Sequence, residues 1–165
     1  MIEFVDELMD TEALRKIRSI ADYQFGKGVG AKFFPDDTRI VYSRNTGKIR
    51  HIHYKETMLA TLRPTTGLFI LTVNGAKRMI SEANPPRLLV IIEDDAAPFV
   101  AKGRSAYAKH VTDVDLEIRP NEEVIVVNSN NEVLAVGRAL LSGTEMKAFC
   151  RGIAVRVRHG VAEKS

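Results

Sequence analysis
The sequence predicts an α+β domain of residues 1–85, a small β-barrel domain of residues 86–160 and a short tail of residues 161–165. Three observations predict it. A helical apolar stripe opens the chain and is followed by four short strand signals and a second helix, which is an α+β pattern. Asn84-Pro85-Pro86 then breaks the chain near its middle, because consecutive prolines favour extended backbone and end a helix. The remaining residues read as five or six short strands with little helix, the signature of a small barrel.

In the first domain, Asp10 or Thr11 is placed to cap a helix running to about Phe25, with Leu14, Ile17 and Ala21 as its apolar stripe. Gly26, Gly28 and Gly30 end that helix. Strands follow at Arg39 to Ser43, Ile49 to Tyr54, Met58 to Arg63 and Leu68 to Val73. Asn45-Thr46-Gly47 and Pro64 to Gly67 mark turns between them. Ala76, Met79, Ile80 and Ala83 then line one face of a helix over about residues 75–83.

In the second domain, Leu88 to Ile92 reads as a fully buried strand, and Asp94 or Asp95 as the cap of a short helix ending near Gly103. Glu123 to Asn128 and Val133 to Leu141 form a hairpin around Ser129-Asn130-Asn131. Ser142 and Glu145 form a capping box, in which hydroxyl and carboxylate each satisfy a free backbone donor of the other. The helix they open turns Met146, Phe149 and Cys150 inward and stops at Gly152. Last, Ile153, Val155 and Val157 face one way, and Arg156 and Arg158 the other. Arg138, placed among Leu134, Val136 and Leu140, reads as an internal structural arginine slightly ahead of a ligand contact, and both readings stand.

The composition narrows the function. Hydrophobic residues make up 45% and charged residues 27%, which is a folded, soluble profile. The longest apolar run, Leu88 to Ile92, is too short for a membrane span, and early acids in MIEFVDELMD do not fit a signal peptide. One cysteine, Cys150, excludes an internal disulfide framework and fits a reducing, cytoplasmic setting. The net charge of +3 permits an anionic partner without requiring one. There are thirteen basic and ten acidic residues before residue 86 and eleven of each after it, so a nucleic-acid site must come from local clustering.

No catalytic centre emerges. His51 and His53 share a strand face, but a third metal ligand is not evident, so they read as polar surface. Glu93-Asp94-Asp95 reads as helix capping, the pair Asp113 and Asp115 as a solvated turn, and Cys150 as a small core residue. Gly26-x-Gly28-x-Gly30 lacks the preceding strand and the Gly-Lys-Ser/Thr ending of a phosphate loop. No metal and no cofactor are expected. What stands out is KGRSAYAKHV, residues 102–111, where Lys102, Arg104 and Lys109 surround Gly103 without an acid among them. It is either a solvated loop after a helix-ending glycine or a phosphate-binding surface, with Tyr107 as a stacking face. If the last strand lies beside it, Arg156 and Arg158 extend the patch.

The segments AKGRSAYAKHV, IRPNEEVIVVNSNNEVLAVGRALLSGTEM and FCRGIAVRVRHG resemble the PUA domain, an RNA-binding module with a pseudobarrel fold. Upstream, IADYQFGKGVGAKFF, TGKIRHIHY and MLATLRPTTGLFILTVNGAKRMI resemble the domain that precedes PUA in archaeal archaeosine tRNA-guanine transglycosylases. The resemblance covers nearly the whole chain, and the family's catalytic barrel and zinc site are not in it. It implies a non-catalytic protein that grips tRNA by the acceptor stem, through shape and phosphate contacts. It assigns RNA contacts to Lys102, Gly103, Arg104, Ser105, Lys109, Arg156 and Arg158. The partner implied is a separate catalytic transglycosylase subunit. A translation initiation or recycling factor and a protein-interaction module with incidental RNA binding are the alternatives.

Overall fold
The computed structural model describes residues 3–83 and 87–163. The chain divides into two compact units, Met1–Pro86 and Arg87–Ser165. The Asn84-Pro85-Pro86 boundary expected from the sequence lies outside the described residues.

The first unit opens with α1 (Glu3–Phe25), which begins well before the expected cap, so neither Asp10 nor Thr11 starts it. Its buried stripe is Ala13, Ile17, Ala21 and Phe25, while Leu14 is only half-buried at the edge. The glycines after it do more than stop a helix. Gly28 has φ +87° and heads a short α2 (Val29–Phe33), which the sequence reading did not anticipate. A Cβ on Gly30 would sit 2.2 Å from the Arg18 carbonyl oxygen, so the residue lets α2 fold back onto α1. The strands β1 (Arg39–Tyr42), β2 (Ile49–Tyr54), β3 (Thr57–Leu62) and β4 (Phe69–Leu71) form an antiparallel meander in that order. Between β2 and β3, Lys55 and Glu56 both have positive φ, at 48° and 66°, as a two-residue hairpin turn requires. Next comes α3 (Val73–Glu82), capped by Thr72, whose Oγ1 accepts from the Gly75 amide at 2.9 Å.

The core of this unit is aromatic. Phe33 stacks tilted on Phe34 at 4.5 Å, and Phe34 meets Phe69 at 5.4 Å. Gln24, 6% exposed, is the polar exception. Its Nε2 donates to the Phe69 carbonyl and its Oε1 accepts from the Phe69 amide, each at 2.8 Å. A helix side chain thus serves as the missing neighbour of edge strand β4 and satisfies backbone groups that burial would otherwise leave unpaired.

The second unit is a six-stranded, nearly closed sheet. Its strands are β5 (Leu89–Ile92), β6 (Ala106–Tyr107), β7 (Val111–Val114), β8 (Glu123–Val127), β9 (Val133–Ala139) and β10 (Ile153–Gly160), in the order β6-β10-β9-β8-β5-β7. All pairs are antiparallel except β5 with β8. Two short helices, α4 (Ala97–Ala101) and α5 (Gly143–Ala148), pack against the sheet.

Several sequence expectations are corrected here. β5 alternates rather than burying fully: Val90 and Ile92 are enclosed, Leu89 and Ile91 only half so. Leu88 adopts φ +70°, held by its amide donating to Asp115 Oδ2 at 2.9 Å. The N-cap of α4 is Ala96, with no side-chain cap, and Asp94 instead accepts from the Ser129 hydroxyl at 2.8 Å. The capping box of Ser142 and Glu145 is present in both directions. However, α5 ends at Ala148 and Phe149 is extended, so the helical period stops and leaves Phe149 and Cys150 exposed. β10 shifts register between Ile153 and Val155 and again between Val157 and His159. Such bulges break strict alternation, which is why Ala154 and Val155 are both buried.

Replacing Gln24 with leucine should lower the stability of the chain by about 2–4 kcal/mol, the cost of two buried backbone groups left without partners. Urea unfolding monitored by circular dichroism would measure it, and a change below ~0.5 kcal/mol would contradict this role for Gln24.

Candidate nucleic-acid interface
KGRSAYAKHV is neither a plain loop nor a single strand. Lys102 caps α4, Gly103 turns the chain at φ +102°, Ala106 and Tyr107 form β6, and Ala108–His110 make one 3-10 turn leading into β7. The turn at Gly103 is needed because the chain must leave α4 and at once pair with β10. β6 pairs with β10 through Ala106 opposite Val155 and Tyr107 opposite Ile153. The adjacency that periodicity alone left open is therefore present.

Across the sheet, β10 pairs with β9, which sets Arg156 directly opposite Arg138. Lys102, Arg104, Lys109, Arg138 and Arg156 are all exposed. Arg138 is thus an outward-facing residue, not an internal one: β9 is buried on both faces only as far as Gly137. Two arginines facing each other across a strand pair repel; on β8 Glu123 stands opposite Arg138 and offsets part of that repulsion, and a bound anion relieves the rest. Ser105 is half-buried beside them.

Arg158 behaves differently. Its Nη1 donates to Glu123 Oε1 at 2.9 Å, and its Nη2 bonds the other carboxylate oxygen. The Glu123 side chain is only 5% exposed and that of Arg158 27%, so this fork-to-fork pair is largely removed from solvent. The sequence grouped Arg158 with the contact residues; the structure commits its guanidinium to a protein carboxylate.

Beside the cations lies a groove of about 290 Å³ between α4 and β6, lined by Phe99, Arg104, Tyr107 and His110 among others. Phe99 is 58% exposed and Tyr107 45%, which is unusual for aromatics in a unit with so full a core. Two exposed rings lining the same groove as a guanidinium offer a stacking surface next to phosphate-binding charge. His110 belongs to the segment that the sequence marks, whereas Phe99 lies outside it; its signal is an aromatic on a short helix leading into a basic segment. His110 Nδ1 lies 2.6 Å from Glu93 Oε1, which ties down one member of the acidic run.

The other candidates have structural roles. Asp115 also accepts from the Glu117 amide at 3.0 Å, and Asp113 pairs with Lys147 at 3.3 Å. The Val114 amide and Lys147 hold the Asp113 carboxyl below the usual carboxylate range. His51 and His53 do share a face of β2, and His51 Nδ1 is 3.1 Å from Thr61 Oγ1. Burial, then the charge of Arg39 and His51, holds His53 below the ordinary histidine value. Among the described residues, no three His, Cys, Asp or Glu side chains cluster as metal ligands do. No described helix is long and apolar enough to cross a membrane.

Each of the two units matches a known domain. A PUA domain model matches residues 89–161, and the patch-forming domain C2 of tRNA-guanine transglycosylase matches residues 15–86. The chain is similar to the C-terminal region of archaeal tRNA-guanine(15) transglycosylases, without their catalytic barrel. It is 46% identical to that of Thermococcus kodakarensis over 150 residues, and 44% identical to that of Thermoplasma volcanium over 148. These alignments cover 91% and 89% of this chain but only 26% and 23% of the relatives, so the chain spans about a quarter of their length. In fold it is similar to the hypothetical protein PH0734.1 of Pyrococcus horikoshii, with a TM-score of 0.75 at 24% identity over 93% of this chain and 92% of that one. A conserved PUA domain protein of Thermoplasma acidophilum gives a TM-score of 0.65 at 20% identity, over 93% and 91% of the two chains.

Two measurements check this geometry. Arg158→Ala strips the buried Glu123 carboxylate of its guanidinium and should destabilise the chain by about 3 kcal/mol in urea unfolding. A neutral result would mean that the pair is solvated and Arg158 available. In an NMR titration His53 should protonate at a lower pH than a free histidine, and Arg39→Ala should recover only part of the difference, because burial is the larger cause.

Proposed function
We propose that this chain is a non-catalytic RNA-binding protein that grips tRNA by its acceptor stem, as the accessory half of a transglycosylase whose catalytic barrel is a separate chain. The observation that carries the reading is the placement of Arg104 and Lys109, Arg156 and Arg138 on or beside three successive strands, β6, β10 and β9. These cations neutralise phosphates. Gly103 belongs to the same contact surface as the left-handed turn that sets them there, the place of its missing side chain lying 3.4 Å from the Glu163 carboxylate. Lys102 and Ser105, the neighbours of Gly103, belong to the same contact surface. The described geometry offers shape and charge rather than a base code, which suits a helical stem. Arg158 serves this surface indirectly, by neutralising Glu123 beneath it.

The archaeal relatives support the tRNA context, since the chain matches them throughout both units. The separate catalytic chain holds the chemistry, and this chain holds the substrate.

Arg104→Ala with Arg156→Ala should weaken tRNA binding about a hundredfold and lower the salt slope of log affinity by about two. Fluorescence anisotropy at two salt concentrations measures both, with an unstructured RNA of equal length as control. Unchanged affinity and slope would remove the patch. Failure of the chain to raise tRNA affinity or turnover of a barrel-only transglycosylase would remove the split arrangement while leaving RNA binding intact.

A further inference from the structure
The first unit contains a second groove, larger than the one beside β6. It lies where α1 passes the end of the meander, between the β1–β2 turn and the β3–β4 turn, and encloses about 690 Å³. Four cations rim it: Lys16 from α1, Lys48 and Arg50 at the start of β2, and Arg63 just after β3. Glu12 is the one acid among its described lining residues. All four cations are exposed, and none forms an ion pair with a described residue. The floor is apolar, contributed by Ala13, Ile20, Ile49 and Leu62.

This combination selects its ligand. Four cations against the single carboxylate of Glu12 leave the groove with an excess of positive charge, which an anion relieves. A smooth cationic surface would suffice for a duplex backbone. A concavity of several hundred Å³ with an apolar floor suits a compact body that is flat and apolar at one end and anionic at the other. A nucleotide has that form: its base lies on the floor and its phosphate reaches the rim. A base stacked within a helix presents only its edge, so the nucleotide must be unpaired.

We infer that this groove holds one unstacked nucleotide of the bound RNA, its base over Ile20 and Leu62 and its flanking phosphates among Lys16, Lys48, Arg50 and Arg63. The inference rests on the proposal that the chain binds RNA. It adds a second, independent contact to an RNA held by the PUA unit, at a looped or single-stranded position rather than along a stem.

The test uses the full chain with Lys48→Gln and Arg63→Gln together, both on exposed turns whose loss leaves the core intact. Circular dichroism confirms folding. Binding to tRNA should weaken at least about tenfold, and the salt slope should fall by about 1.4, the value for two contacts to unpaired strand. By NMR, a nucleoside 5′-monophosphate should shift the amides of Gly47, Lys48 and Arg63 at concentrations where inorganic phosphate does not. Equal shifts with phosphate would reduce the groove to a charge site and overturn the nucleotide assignment. Unchanged tRNA binding by the glutamine pair, while Arg104→Ala with Arg156→Ala weakens it, would overturn the groove and leave the PUA patch standing. Absence of RNA binding by the unaltered chain would instead overturn the proposed function itself.

Discussion
Backbone packed directly on backbone is the constraint on which the second unit depends. A Cβ on Gly160 would sit 2.2 Å from the Ala101 carbonyl oxygen, and one on Gly137 2.3 Å from that of Arg156. These approaches seat β10 between β9 and the exit of α4, and the Ala162 amide donates to the Ala101 carbonyl at 2.8 Å to fasten the strand's end. Everything on the proposed RNA surface follows from that seat. If β10 stood an ångström or two further out, β6 would lose its neighbour and Arg156 would no longer face Arg138. The glycines therefore act on binding through position, not contact.

The two units solve the same problem of a sheet edge with different means. In the first, the exposed edge of β4 is covered by the amide side chain of Gln24, a helix residue that imitates a strand. In the second, the ends of the sheet at β6 and β7 are linked by a single 3-10 turn, against which α5 packs. Both devices keep backbone donors from presenting an open template to other chains. The ion pair of Glu123 and Arg158 adds a further constraint. A carboxylate so enclosed demands a cation, and it takes one from the very face that would otherwise offer all its arginines outward.

Much of this was legible in the sequence, for physical reasons that also mark where legibility ends. The first three meander strands and the capping box rest on local rules, periodicity and side chain-to-backbone bonding, and appear where those rules put them, whereas β4 stops at Leu71 because Thr72 caps α3. The second short helix was missed because FGKGVGAKFF reads as a helix stop; the glycines there serve a close helix–helix approach that only tertiary structure reveals. The bulges of β10 have no periodic signature, so the strand's inward residues were assigned out of phase at Ala154. The helical period turns Phe149 and Cys150 inward only if the helix continues to Gly152, and it ends at Ala148. Glu123 gave no warning of burial, since an acid at the first position of a strand is ordinarily solvated. The proposed contact residues around Gly103 came from charge clustering, which sequence shows well. The groove of the first unit joins three segments far apart in the chain, which it does not show.

The sheet order of the second unit bears on how the chain is made. β10 is the last of its strands to leave the ribosome, yet it lies between β6 and β9, and β5 waits for β8 some thirty residues downstream. The barrel therefore cannot close until its synthesis is nearly complete, and hydrophobic strands such as β8 stay unpaired meanwhile. The meander of the first unit pairs each strand with the one made just before it, so that unit can fold while the second is still emerging. A stalled or truncated message would leave a folded first unit attached to an open, sticky sheet, the form that proteolysis and chaperones must clear.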